Sequence, residues 1–258
     1  MTQDVCARDE GFVRVVTLKR PPGNVLGAAT LAALSAEIAA AAGAGGVRAL
    51  VLTSGLPRYF SSGLDVQEIM SVPVEDRGTL FESLLGVYRS LLEFPKPVVG
   101  GLNGAAVLGG WVLAMACDWR ILAKESGKIS LSEIRLGLTP TPALVARLSG
   151  LSNDRRLVKE MVLRGASVRA EHALMAGLVD EVQAEAEVPA RAVTLAKRLS
   201  LSAPRAFAAV KRSLNAAHLD EALWRDSLEE FRALVVGTEA GEGLAALESK
   251  RRPRWEGP

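Results

Sequence analysis

The chain has 258 residues, 49% of them apolar and 23% charged, with a formal net charge of +2. That length is ample for one large domain or a domain with an appended subdomain. The balance excludes a disordered chain, and the absence of a dense basic stripe argues against a nucleic-acid partner.

The first stretch, MTQDVCARDEG, carries acids and no long apolar core, which fits neither a secretory signal nor an Arg-rich transit peptide. No apolar run approaches the ~20 residues of a membrane span. Cys6 and Cys117 are too few and too far apart for a disulfide framework, so a cytoplasmic protein is expected. The segment FVRVVTL (12–18) predicts a strand, AATLAALSAEIAAAA (28–42) a helix and VRALVLTS (47–54) a buried strand. The GAGG run at 43–46 follows a helix and precedes a strand, the reverse of a dinucleotide-binding loop, and reads as a helix stop.

RYFSSGLDVQEI (58–69) leads from a strand through Ser62-Gly63 into a short helix, with Asp65 placed to cap it. A helix is expected from about Arg77 to Glu93, then a strand at KPVVGGL (96–102). The glycine-rich loop in GGLNGAAVLGG (100–110) lacks any G-x-G-x-x-G or Walker pattern, yet it opens a helix from Gly110. Glycines let backbone approach a ligand, and free N–H groups at a helix start favour negative charge. Two such loops are either two tight turns or the two halves of an oxyanion hole, each donor of which is typically worth ~3 kcal/mol to an anionic transition state.

Strands are expected at WRILAK (119–124) and GKISLSE (127–133), and from Thr141 nearly everything reads as helix. An α/β core over 1–195 is thus followed by a helical region over 196–258. The only histidines, His172 and His218, have no Cys or Asp at ligand spacing, and no G-x-S-x-G elbow is present. Neither a metal nor a redox cofactor is expected.

The stretches LTSGLPRYFSSGLDVQEI, PKPVVGGLNGAAVLGGWVLAMACDWRILA, ISLSEIRLGLTP, LRGASVRAEHALMAGLVDEV and SAPRAFAAVKRSL stand in the order of the crotonase family, the enoyl-CoA hydratase/isomerase superfamily, which the chain resembles over about residues 12–235. The resemblance implies a spiral of β-β-α turns, C-terminal helices that build a trimer or hexamer, and a coenzyme A thioester as substrate. It assigns the oxyanion-hole amides to Ser62 and Gly109, and the neighbouring substrate contacts to Gly63, Leu64, Asp65, Val112 and Thr139.

Hydratases of this family carry two glutamates. Here Val112 stands at the first position and Glu133 at the second. Water addition needs one carboxylate to activate water and another to deliver a proton, which valine cannot do. A single base suffices to move a proton from C2 to C4 of a 3-enoyl-CoA, and the PPGN stretch at 21–24 also resembles the isomerases. The expected function is therefore 3-enoyl-CoA to 2-enoyl-CoA isomerisation by Glu133. A crotonase-type lyase (decarboxylase or dehydratase) and a weakly active acyl-thioester binder are the alternatives.

Other positions stay open at this level. Trp111 fits a wall of the acyl pocket or the core. Arg135, Thr139 and Thr141 are near enough in sequence to tune Glu133, whose bland reading is a surface acid ending a strand. Lys211 and the run Lys250, Arg251, Arg252 fit contacts to CoA phosphates or a solvated helix face. Asp65 and Asp118 read as structural. Leu223, Trp224, Phe231 and Leu234 make the last helices apolar enough to need a surface to cover.

Overall fold

Alternating apolar residues give each central strand two faces to bury, and the chain covers both. In the computed structural model, residues 4–255 are described; residues 1–3 and 256–258, the ends of the two terminal stretches, lie outside them. The first turns of chain are β1 (Val5–Glu10), β2 (Val13–Leu18) and α1 (Ala28–Gly43), then β3 (Ala49–Ser54), β4 (Arg58–Ser61), α2 (Val66–Ser71) and α3 (Thr79–Glu93). Next come β5 (Val98–Leu102), β6 (Gly104–Val107) and α4 (Gly109–Met115), followed by β7 (Trp119–Ala123), β8 (Lys128–Ser130) and α5 (Pro142–Leu151). The remainder is α6 (Arg155–Arg164), β9 (Val168–Arg169), α7 (Ala170–Met175), β10 (Glu181–Gln183), α8 (Val188–Leu199), α9 (Pro204–Asn215), α10 (Glu221–Val235) and α11 (Thr238–Glu248).

One sheet has the order β1-β2-β3-β5-β7-β10 and the other β4-β6-β8-β9. β3, β5 and β7 lie in the larger sheet and the strand after each, β4, β6 and β8, in the smaller, with β2, β3, β5 and β7 parallel in one and β4, β6 and β8 parallel in the other. This is a spiral of β-β-α turns. Val15, Val51, Val99 and Ile121 face α8 on one side of the larger sheet, while Val16, Leu18, Leu50, Leu52 and Leu122 enter the main core on the other. The period of two in the sequence therefore distributes residues between two apolar layers.

The expected strands and helices of the first half are present, with four strands added. β1 escapes sequence reading because VCARDE is an edge strand whose charged side chains are mostly exposed. β6 is GAAV, weak in strand propensity, and β9 and β10 have only two and three residues. The GAGG run does end α1: the Ala44 N–H bonds the Ala40 carbonyl, and Lys96 Nζ donates to the carbonyls of Ala41 and Ala44 at 2.7 and 2.9 Å. Among the described residues no helix is long and apolar enough to cross a membrane.

Two expectations about the second half need correction. Trp224 and Phe231 do not wait for another subunit: α10 and α11 fold back on their own chain, where Trp224, Phe231, Val235 and Leu244 join the main core. Phe231 stacks on Phe81 of α3 with ring centroids 3.7 Å apart and planes 12° from parallel. Leu234 stays exposed. Lys211 is neither a phosphate contact nor on a solvated face. It is 4% exposed and its Nζ lies 2.8 Å from Asp118 Oδ2, which also accepts the Val98 N–H at 2.8 Å. Burial lowers the Lys211 pKa, and Asp118 opposes that shift.

Removing one partner of a buried, hydrogen-bonded ion pair leaves the other charge uncompensated, at a cost of about 3–5 kcal/mol. Lys211→Met is therefore expected to lower the unfolding free energy by that amount in urea titrations. A loss below about 1 kcal/mol, the worth of an exposed pair, would contradict the buried pairing.

Candidate active site

The first loop of the site is built outward from Asn24. This buried residue takes a left-handed φ of +52°, which asparagine tolerates better than most side chains. Its Nδ2 donates to Ser54 Oγ (2.7 Å) and the Phe60 carbonyl (3.0 Å), while its Oδ1 accepts the Arg20 N–H at 2.7 Å. Ser61 Oγ donates to the Asn24 carbonyl at 2.7 Å and accepts the Gly63 N–H at 3.2 Å. The segment after β4 is thereby tied to the 20–26 loop.

The same ties decide which amide is available. The Ser62 N–H donates to the Gly23 carbonyl at 2.9 Å, so the assignment of Ser62 as an oxyanion donor is corrected. Leu26 N–H bonds the Gly63 carbonyl (2.8 Å) and Asp65 N–H bonds the Leu26 carbonyl (3.1 Å), which leaves the intervening Leu64 N–H pointing away from the Leu26 strand and without a partner. Asp65 is occupied as well. It caps α2 by accepting the Glu68 N–H and pairs with Arg20 at 2.6 Å.

The second loop is held in a costly shape. Leu108 has φ +51° and ψ −127°, a region side chains avoid, and donates its N–H to the Ser130 carbonyl at 2.9 Å. The first intrahelical bond of α4 runs from Val112 N–H to the Leu108 carbonyl, so the Gly109 N–H has no acceptor in the helix. Glycine at 63, with φ +97°, lets the loops meet: a β-carbon there would lie 2.9 Å from Leu108 Cβ and 3.1 Å from the Gly109 nitrogen. A β-carbon on Gly109 would lie 3.4 Å from the Leu64 nitrogen. Leu64 and Gly109 thus present two adjacent free amides, two residues further along the first loop than the sequence assigned.

Both residues line a pocket of ≈ 50 Å³ together with Val112 and Glu133, and its other walls are Leu108, Leu136, Leu138 and apolar residues of α2, α3, α10 and α11. Glu133, which opens a 3-10 turn (Glu133–Leu136), is the single titratable residue among those lining it. It is 7% exposed, and its Oε2 is buried with no hydrogen-bond partner. Desolvation pushes its pKa up to about 7, partly offset by a hydrogen bond from its own backbone N–H. The surface-acid reading of Glu133 is excluded. Val112 is 1% exposed on the first turn of α4, where it gives the pocket an apolar wall.

The other expected residues do not reach Glu133. Trp111 is fully buried in the core and does not line the pocket. Thr139 uses its Oγ1 to accept the Thr141 N–H at 3.1 Å and lies outside the pocket lining. Arg135 turns away to the Arg164 carbonyl, and Arg251 of the basic tail pairs with Glu242. Phe231, Val235 and Leu244 do line the pocket. The i, i+4 spacing of Phe231 and Val235 in α10 was visible in the sequence, whereas the surface it covers was not.

A β-β-α spiral whose smaller-sheet strands end in two amide-presenting loops is the crotonase fold, used by enzymes that act on acyl-CoA. The chain belongs to the enoyl-CoA hydratase/isomerase family, whose model matches residues 8–258. It is 32% identical over 250 residues to a probable enoyl-CoA hydratase of Bacillus subtilis, across 95% of this chain and 96% of that protein. It is 30% identical over 263 residues to carnitinyl-CoA dehydratase of Salmonella typhi, across the whole of both. The crystal structure of human mitochondrial delta3-delta2-enoyl-CoA isomerase matches 96% of this chain and 98% of its own with a TM-score of 0.89; at 24% identity this is a likeness of fold.

A carboxyl whose folded pKa is raised from 4.5 to about 7 binds more protons folded than unfolded between those values, so its stabilising contribution is present at low pH and lost as pH rises across that window. Glutamine does not titrate. Relative to the wild type, Glu133→Gln should gain up to about 3 kcal/mol of stability as pH rises from about 4.5 to about 8. Urea titrations at intervals across that range measure it, and a difference independent of pH would contradict the buried, solvent-stripped carboxyl.

Proposed function

We propose that the chain converts 3-enoyl-CoA thioesters to 2-enoyl-CoA, with Glu133 as the only proton carrier. The observation behind this reading is the pocket chemistry: one carboxylate, two free amides and otherwise apolar walls. In this mechanism the thioester oxygen accepts hydrogen bonds from the Leu64 and Gly109 N–H groups. Glu133 Oε2 takes a proton from C2, and the electron pair moves into a dienolate whose charge rests on that oxygen. The double bond reforms between C2 and C3 as Glu133 returns the proton at C4. No atom is gained or lost, CoA remains bonded to the acyl group throughout, and the reaction as written needs no metal or redox cofactor.

Val112 serves this reaction by its lack of polarity. An apolar wall in the same pocket as the base offers no hydrogen bond to a water for addition to the alkene and helps keep the carboxyl poorly solvated. The names of the relatives suggest a second reading, loss of water from a 3-hydroxyacyl-CoA over the same amides. In that reaction Glu133 would have to protonate the departing hydroxyl as well as deprotonate C2.

A panel of 3-enoyl-, 2-enoyl- and 3-hydroxyacyl-CoA thioesters separates the readings. Isomerisation should be fastest, with kcat/KM rising with pH through about 7 as the carboxyl loses its proton. Glu133→Gln should lower it by a factor of about 100 or more, the scale of general-base deletions, while the affinity for a saturated acyl-CoA changes little. Rapid hydration of 2-enoyl-CoA by the wild type would refute the role given to Val112. Tight acyl-CoA binding without turnover would favour a binding protein.

We further propose an assembly of three or six subunits. Support comes from α9, where Val210 and Leu214, one helical turn apart, are 59% and 73% exposed and form an apolar stripe on the surface. Light scattering should return a mass of three or six chains at micromolar concentration, and a monomer would overturn the assembly.

A further inference from the structure

We infer that the stacked rings of Phe81 and Phe231 form the end wall of the acyl compartment and restrict the chain to short acyl groups. The inference rests on the reading of the pocket as the acyl-thioester site. Its geometry starts at the amides. Leu84 of α3 lies against Gly109, its Cδ2 3.1 Å from where a β-carbon on that glycine would stand. Phe81 is one turn earlier on the same face, about 5 Å along the helix from Leu84.

Phe81 and Phe231 are 4% and 3% exposed, stack at 3.7 Å, and both line the pocket. The segments that carry them stay in contact over the next turn. A β-carbon on Gly78 would be 3.2 Å from Arg232 Cγ and 4.0 Å from Val235 Cγ1. On the solvent side Arg232 and Glu82 close the same seam with an ion pair of 2.6 Å. To pass, a longer acyl chain would have to force apart a pair of packed aromatic rings and the helices that carry them. Overfilling such a close-packed boundary is unfavourable, so the rings act as a length limit and the matching substrates are short-chain acyl-CoA thioesters.

The test is binding of saturated butyryl-, hexanoyl-, octanoyl-, decanoyl- and dodecanoyl-CoA, measured by calorimetry on the wild type and on Phe231→Ala, Phe81→Leu and Phe231→Leu. Binding needs no turnover, so it addresses the wall even if the chemistry is other than isomerisation. Wild-type affinity should break downward along the series, by about tenfold or more per added methylene beyond the limit, the scale on which apolar pockets reject excess length. The substitutions should move the break to longer chains and raise the ratio of decanoyl to butyryl affinity at least about tenfold. The two leucine variants keep the core filled and carry the test if Phe231→Ala does not fold. Affinity that rises smoothly to dodecanoyl-CoA in the wild type, or a break that no substitution moves, overturns the wall. Failure to bind any of the thioesters overturns the acyl-site reading together with it.

Discussion

The contact between two loops governs the site. Gly63 and the Leu108–Gly109 corner approach so closely that no β-carbon fits between them, and that approach sets the amides of Leu64 and Gly109 side by side. Each amide is free for a different reason. The first lies between two residues that bond on the opposite side, and the second opens a helix that cannot satisfy it. The spiral brings the loops together because β4 and β6 are paired in parallel and both end at the same edge of the smaller sheet. Backbone geometry, with little help from polar side chains, supplies the electrostatics.

Burial then sets the chemistry of the one side chain that can carry a proton. Glu133 is surrounded by apolar residues from both halves of the chain, so its carboxyl is stripped of water and held near neutrality in pKa. A second carboxylate in the same small volume would have repelled it or required a water to bridge them. Val112 avoids both. The helices after residue 196 therefore belong to the site, since Phe231 of α10 and Leu244 of α11 complete the low-dielectric wall.

The sequence made the β-β-α order legible because strands covered on both faces are written as short apolar runs between helices. β1 was hidden by its charged edge, and β6 by glycine and alanine. Glu133, Gly109 and Val112 could be located because they sit at fixed offsets in motifs. Ser62 was mistaken for Leu64 because the sequence does not show which N–H groups a turn consumes; here the Gly23 carbonyl consumes one. Asp65 held a usable sign, since a helix cap places the preceding residue just outside the helix with its amide unclaimed by it. Lys211 looked like a surface cation for a similar reason: nothing local in α9 announces that Asp118, 93 positions earlier, lies beneath it.

The way α10 and α11 close over their own chain ties the site to the last part of the sequence. Phe231, Val235 and Leu244 bring these helices into the wall of the pocket, so that wall is complete only once the C-terminal end of the polypeptide has docked. A chain cut short before Glu221 would keep both loops and Glu133, yet it would leave the carboxyl open to water on that side and return it toward the behaviour of an ordinary surface acid.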